Sequence, residues 1–501
     1  MLKDKNAIAI HTIDNCAVAI IDINKDEIVF DGIKILEDIK AGHKFALKNI
    51  GVGESIVKYG HVIGVAKEEI SVGAHIHTHN IKTGLKGILE YNYNPTGLTG
   101  IAENTKKDFE LMAYKRKNGE VGIRNEIWII NTVGCINKVA ATIAKKANEK
   151  HTETQGTTGI DGIYTFEHPF GCSQLGDDHL KTQMILKNMV THPNAAGVLV
   201  LGLGCENNTM GEFKKVLGEI DSERVKFLVC QDVDDEVAAG LEIIDGLVDY
   251  AKQFKREKVS VENLVIGLKC GGSDGFSGIT ANPLVGKISD IIIEHGGSAL
   301  LTEVPEMFGA EDILMNRAIN ENVYNKTVNL INDFKNYFMR YDQEIYENPS
   351  PGNKNGGIST LEDKSLGCTQ KSGSKNVVDV LDYGDVVKEK GLNLLNGPGN
   401  DIVAMTNLMA AHAHVILFTT GRGTPVGTAV PTIKIASNSD LYNRKNNWMD
   451  FDAGVMLEDA TIDKTAEDLF KYIIDVCEGK KTKNEINEYR EISIFKDGVT
   501  L

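Results

Sequence analysis

Three histidines recur at alternate positions in His75-Ile76-His77-Thr78-His79-Asn80. On a strand, residues i, i+2 and i+4 face one side, so three imidazoles would project together. Neutral imidazole ligates iron, manganese or zinc and also serves as a general base. An extended strand, however, sets alternate side chains about 7 Å apart, too far for one ion to collect all three. Cysteine supplies a second set. Cys135, Cys205 and Cys270 each come just after a short run rich in Val, Ile and Leu, and Cys172 sits in His168-Pro169-Phe170-Gly171-Cys172. Such runs read as buried parallel strands, and thiolates at a sheet's carboxyl edge can hold iron or an iron–sulfur cluster. Cys16, Cys230, Cys368 and Cys477 read instead as small buried apolar residues. No two of the eight cysteines form a CxxC pair, which argues against zinc ribbons and thioredoxin chemistry.

Two glycine-rich segments, Cys270-Gly271-Gly272-Ser273-Asp274-Gly275 and Gly421-Arg422-Gly423-Thr424, follow strand-like runs. Their backbone N–H groups could hold a carboxylate, with Ser273 and Arg422 beside it. Neither carries a dinucleotide fingerprint, and Gly286-Lys287-Ile288-Ser289 lacks the Walker spacing, so ATP is not supported. Glu303 and Glu306 supply paired carboxylates, Lys354 stands in a Gly/Asn turn suited to anion capture, and Glu362, Asp363 and Lys364 follow. Glu303 and Lys364 are thus candidates for acid/base work.

A chain of 501 residues is too long for one core and implies two to four domains. Fifty-four basic against 70 acidic residues give a net charge of −16. That surface disfavours nucleic acid and anionic membranes, so any anionic substrate must be held by locally gathered cations. No apolar run approaches the roughly 20 residues of a membrane span, and Met1–Lys5 does not open a signal peptide. The expectation is a cytoplasmic enzyme acting on a small molecule; the sequence is compatible with a homo-oligomer. Residues 1–92 read as a compact strand-rich domain and 93–108 as a linker rich in turn-formers. Strands then alternate with helical segments over 109–255 and 256–501, the pattern of two α/β domains with parallel sheets. Residues 340–375, rich in Gly, Pro, Asn, Ser and Lys, read as a long loop, functional or disordered.

These segments resemble the galactarate/altronate dehydratase family along essentially the whole chain. The likeness rests on Gly42-His43-Lys44, Lys58-Tyr59-Gly60, His75–Asn80, Arg124-Asn125-Glu126, Val133-Gly134-Cys135 and Gly171–His179. It continues through Gly204-Cys205-Glu206-Asn207-Asn208, Cys270–Asp274, Thr302–Glu306, Ser350–Gly357, Lys364-Ser365-Leu366-Gly367 and Phe418–Gly423. The resemblance implies an antifreeze-like (SAF) N-terminal domain and dehydration of a sugar acid, D-altronate giving 2-dehydro-3-deoxy-D-gluconate. It also implies iron, with Mn2+ as a substitute; if four thiolates ligate it, an iron–sulfur cluster is as reasonable as Fe2+. Two ligand sets stay open: Cys135, Cys172, Cys205 and Cys270, with His77 or His79 as acid or base, or else His75, His77 and His79. Lys44, Lys58, Lys354 and Arg422 are candidates for the substrate carboxylate, with Asn207 and Ser273 as further substrate contacts. Galactarate dehydration, a sulfolactate sulfo-lyase-like elimination and a non-catalytic sugar-acid binder are the alternatives.

Overall fold

The computed structural model describes residues 2–30, 32–96, 109–152 and 159–501. The expected linker therefore lies in part outside the described residues. The N-terminal unit is β-rich: an antiparallel sheet ordered Leu2–Lys3, Ala7–Ala9, Cys16–Ala19, Lys44–Ala46, His75–Ile76 packs near a second one of Ile81–Lys82, His61–Ala66 and Ser55–Lys58. Its core is small and branched, with Ile50, Ile56, Ile63, Ile70, Ile76 and Ile81 in one cluster.

The middle unit holds four parallel strands in the order Gly162–Thr165, Glu126–Asn131, Ala195–Gly202, Val225–Val229. Alternate residues serve opposite faces. Ile127, Ile129, Leu199 and Leu201 meet Ile143, Ile244 and Leu247 on one side. Trp128, Ile130, Val198 and Val200 meet Ile185 and Met189 on the other. Covering helices on both faces explain why these strands read as unbroken apolar runs. The chain enters and leaves this unit along one antiparallel ribbon, Glu110–Lys115 against Arg256–Ser260.

The C-terminal unit is a seven-stranded parallel sheet, ordered Val377–Leu381, Leu392–Leu395, Ser298–Leu301, Val265–Cys270, Val415–Thr420, Thr432–Ala436, Phe451–Asp452. Ile288, Ile292, Leu469 and Ile473 from helices Ala281–Glu294 and Ile462–Cys477 cover one face. Helix Asp401–Ala410 covers the other and shares its cluster with the middle unit. The expected class, a β-rich N-terminal unit followed by α/β units with parallel sheets, is the one found. The loop expected over 340–375 is not. Ser350 caps a short helix, Pro351–Asn355, and Leu361–Thr369 is a second helix buried along its whole length. Its charged residues mimic a solvated turn in the sequence, but here they pair with partners distant in the chain.

Candidate active site

The C-terminal sheet begins in its middle. From Val265–Cys270 the chain builds outward through Ser298–Leu301, then returns to place Val415–Thr420 on the opposite flank. Ligands of such sheets lie beyond the carboxyl ends where the winding reverses. At that point the two glycine-rich loops meet, with Gly421 and Arg422 N–H donating to the Gly272 carbonyl at 3.1 and 2.9 Å. Asp274 is buried under them and accepts from Ser437 Oγ at 2.8 Å and Asn438 Nδ2 at 3.0 Å. A cleft of about 810 Å³ opens here, lined among others by His43, Asp274, Asn355, Arg422, Asn438 and Arg444.

The N-terminal unit caps this cleft. Lys44 Nζ donates to the Gly357 carbonyl at 2.6 Å and to Asp363 at 2.8 Å, and Lys58 Nζ reaches the other Asp363 oxygen at 3.0 Å. Against the penalty of burial, these two ammonium groups hold the Asp363 carboxyl well below the usual range. Close backbone contact seals the seam: a Cβ on Gly275 would lie 1.9 Å from the Gly42 carbonyl oxygen.

At the seam the histidines converge. The strand ends after His75–Ile76, where His77 N–H donates to Asn80 Oδ1 at 3.0 Å and the Asn80 N–H returns to the His77 carbonyl at 2.9 Å. The three histidines therefore do not share a straight strand, and the wide spacing expected of one does not apply. The turn folds the His77 ring onto that of His75, at 5.5 Å between centroids. His43, placed just before the neighbouring strand, completes the group with its Nδ1 3.0 Å from His75 Nε2. Ligating atoms of His43, His75 and His77 all lie within 4.8 Å of one another. Burial first, then the neighbouring imidazoles, pushes His75 down to about 3; burial and Lys44 push His77 down to about 4. All three stay neutral near pH 7, the state that binds metal or takes a proton. His79 is exposed beside them, its ring 5.5 Å from that of His75.

Behind the glycine loop lies a buried acid–base cluster. Glu303 accepts from Lys269, from Lys371 at 3.2 Å and from the Cys270 N–H at 3.0 Å. Its φ of 71° is a left-handed conformation unusual outside glycine, a strain that clusters at functional sites. Glu306 pairs with Lys364 at 2.8 Å and accepts from Cys270 Sγ and Cys368 Sγ at 3.0 and 3.2 Å. Burial opposes its ionisation, but Lys364, Lys269 and Lys371 hold it charged. The Ser273 hydroxyl is buried at the head of the loop with no hydrogen-bond partner.

The structure distributes the expected site residues unevenly. His75 and His77 gather at the cleft's seam and Arg422 lines it, while Glu303 and Lys364 lie in the buried cluster. Lys354 is half-buried one residue before cleft-lining Asn355. Lys44 and Lys58, expected at the substrate carboxylate, are both engaged by Asp363 and join the two units instead. Asn207 is elsewhere, on the middle unit, accepting from Ser173 N–H at 2.8 Å. The four cysteines do not gather either. Cys135, Cys172 and Cys205 are exposed on the middle unit, whereas Cys270 is buried beside Cys368 and Glu306. Cys368, read as packing, is thus part of the cluster. His43 went unassigned in the sequence, where it stands alone; only the pairing of Phe45 with His75 brings it to the others.

Three family models cover nearly the whole chain. They are the altronate/galactarate dehydratase SAF domain over residues 5–84, the D-galactarate dehydratase/altronate hydrolase second domain over 113–252, and the D-galactarate/altronate dehydratase C-terminal domain over 261–500. The chain is 52% identical to the altronate dehydratase of Bacillus subtilis, over 99% of this chain and 100% of that one. It is 51% identical to the altronate dehydratase of Escherichia coli, over 99% of both. A galactarate dehydratase (L-threo-forming) of Escherichia coli is 32% identical over 95% of this chain and 93% of its own. The chain belongs to the galactarate/altronate dehydratase family.

Proposed function

We propose that this protein is a hydro-lyase converting D-altronate to 2-dehydro-3-deoxy-D-gluconate and water. The observation that carries the reading is the joining of neutral imidazoles and a glycine-loop cleft at one sheet's switch point, under a cap held by buried ion pairs. The near-even identity to two altronate dehydratases supports the choice of substrate over galactarate. A dicarboxylic substrate would need a second cationic pocket.

The C2 proton beside a carboxylate is only weakly acidic, so the reaction needs charge stabilisation, a base for C2 and an acid for the departing C3 hydroxyl. Arg422 and the loop amides would hold the sugar-acid carboxylate. His43, His75 and His77 fit a divalent iron ion, or manganese in its place, as three neutral nitrogen donors within single-ion reach. Iron bound there would supply Lewis acidity toward the carboxylate or an adjacent hydroxyl. His79 would take the C2 proton, and Lys364, kept protonated by Glu306, would protonate the leaving hydroxyl. The resulting enol needs no further catalyst to become the 2-keto acid.

The test is 2-keto acid formation from D-altronate and from galactarate by Fe2+-loaded protein, compared with chelated protein and with His77→Ala. Altronate turnover that is lost on chelation and in the variant is expected. Turnover of galactarate alone, or none of either by folded, iron-loaded protein, would overturn the assignment.

A further inference from the structure

The middle unit has a switch point of its own. Its first strand, Glu126–Asn131, is flanked by the second and third, Gly162–Thr165 and Ala195–Gly202. Each of these three neighbouring strands is followed by a loop carrying a glycine and then an exposed cysteine: Gly134-Cys135, Gly171-Cys172 and Gly204-Cys205. The loops are laced to one another. Gly134 N–H donates to the Phe170 carbonyl at 2.8 Å, and Asn208 N–H donates to the Gly171 carbonyl at 3.0 Å. Ser173 N–H donates to Asn207 Oδ1 at 2.8 Å, so residues on both sides of Cys172 bond the loop of Cys205. The backbone at Gly171 approaches that of Thr132 so closely that a Cβ would sit 1.9 Å from its carbonyl oxygen. Cys172 is thereby fixed between the loops bearing the other two thiols.

We infer that Cys135, Cys172 and Cys205 form a site for a [4Fe–4S] cluster, held by three thiolates with one iron corner free. Among the described residues, no three ligating atoms within 4.8 Å of one another include any of these thiols, so as placed they do not converge on one ion. A cluster spans more than one ion does and is held by cysteine thiolates. The electrostatics agree. Helices Asn137–Lys150, Gly176–Thr191 and Met210–Leu217 all start at this edge, and their N-terminal dipoles favour the net negative charge of thiolate-bound iron. Cys270, buried in the other sheet, takes no part. The site shares no residue with the histidine group, and the inference does not depend on the proposed reaction.

The experiment uses full-length protein purified without oxygen and reconstituted with ferric iron, sulfide and a thiol that reduces part of the iron to give the mixed-valent core. Iron, acid-labile sulfide and the visible and electron paramagnetic resonance spectra are measured per chain. About four iron and four sulfide are expected, with sulfide and visible absorption lost in Cys172→Ser and Cys205→Ser but kept in Cys270→Ser and His77→Ala. Alkylation mapped by mass spectrometry covers any variant that misfolds: in wild-type protein the three thiols should react only before reconstitution. Absence of sulfide, a cluster that survives Cys172→Ser, or equal alkylation before and after reconstitution would overturn the assignment.

Discussion

Asp363→Asn is the most informative single perturbation of the cap. The carboxylate lies 1% exposed between two ammonium groups, those of Lys44 and Lys58, which are themselves 0% and 3% exposed. Asparagine keeps the shape but turns a neutral NH2 toward one lysine and removes the charge that both require. Taking one partner from a buried pair costs about 3–5 kcal/mol, because the remaining charge is left without compensation. At 1.36 kcal/mol per factor of ten, that is roughly two to four decades in the opening equilibrium of the N-terminal unit. The assay is native-state hydrogen exchange of the amides in His61–Ala66, the strand whose Ile63 carbonyl accepts from Thr360 on the C-terminal unit. Exchange should quicken by that factor, and replacing all three residues, Lys44→Met, Lys58→Met and Asp363→Leu, should restore much of the loss. Protection unchanged within threefold in Asp363→Asn would refute the claim that this triad holds the cap.

The remaining predictions concern the seam, the metal, the acid cluster and acid stability. Gly275→Ala should undock the cap, because its Cβ meets a backbone oxygen at 1.9 Å; limited proteolysis and lost turnover would report it, and wild-type behaviour would contradict the close contact. His43→Ala should lower bound iron as much as His75→Ala or His77→Ala, measured by elemental analysis; normal iron in His43→Ala would remove it from the ligand set. Glu306→Gln should slow turnover at least tenfold while leaving iron unchanged, since Lys364 loses the carboxylate that fixes its proton; an unaltered rate would take that pair out of the reaction. His412 and His414, pushed down to about 4 chiefly by burial, stay neutral in the fold while the unfolded chain protonates them near 6.5. Their contribution is therefore complete above pH 6.5 and is lost as pH falls toward 4, at roughly 1.4 kcal/mol per pH unit for each. Urea unfolding between pH 7 and 4 would show the slope, and a flat profile would count against it.

Much of the scaffold was legible because buried parallel strands announce themselves. Gly197–Leu201 and Val265–Leu268 are unbroken apolar runs closed by glycine, and both are strands with their cysteines at or just past the end. The site was harder to read where its residues depend on distant partners. Lys44 and Lys58 look free in a sequence that cannot show Asp363, some 300 positions later, reaching both. Glu362, Asp363 and Lys364 look like a solvated face, yet each is buried: Glu362 accepts from Thr83 and Gly84, Asp363 pairs with Lys44 and Lys58, and Lys364 pairs with Glu306. The histidine repeat suggested a straight strand, but one turn bonded through Asn80 overrides the strand period and brings the rings together.

The ribbon of Glu110–Lys115 and Arg256–Ser260 gives the middle unit the connectivity of an insertion, with both ends side by side. In a gene, such a segment could be exchanged without rerouting the rest. Packing says otherwise, for Met189 on this unit and Met405 and Leu408 on the C-terminal unit belong to one apolar cluster. The unit is thus grafted by topology but fused by its interior. Its helix Gly176–Thr191 is bound to drift in step with Asp401–Ala410, so a chimaera that swaps one without the other carries a mismatched seam.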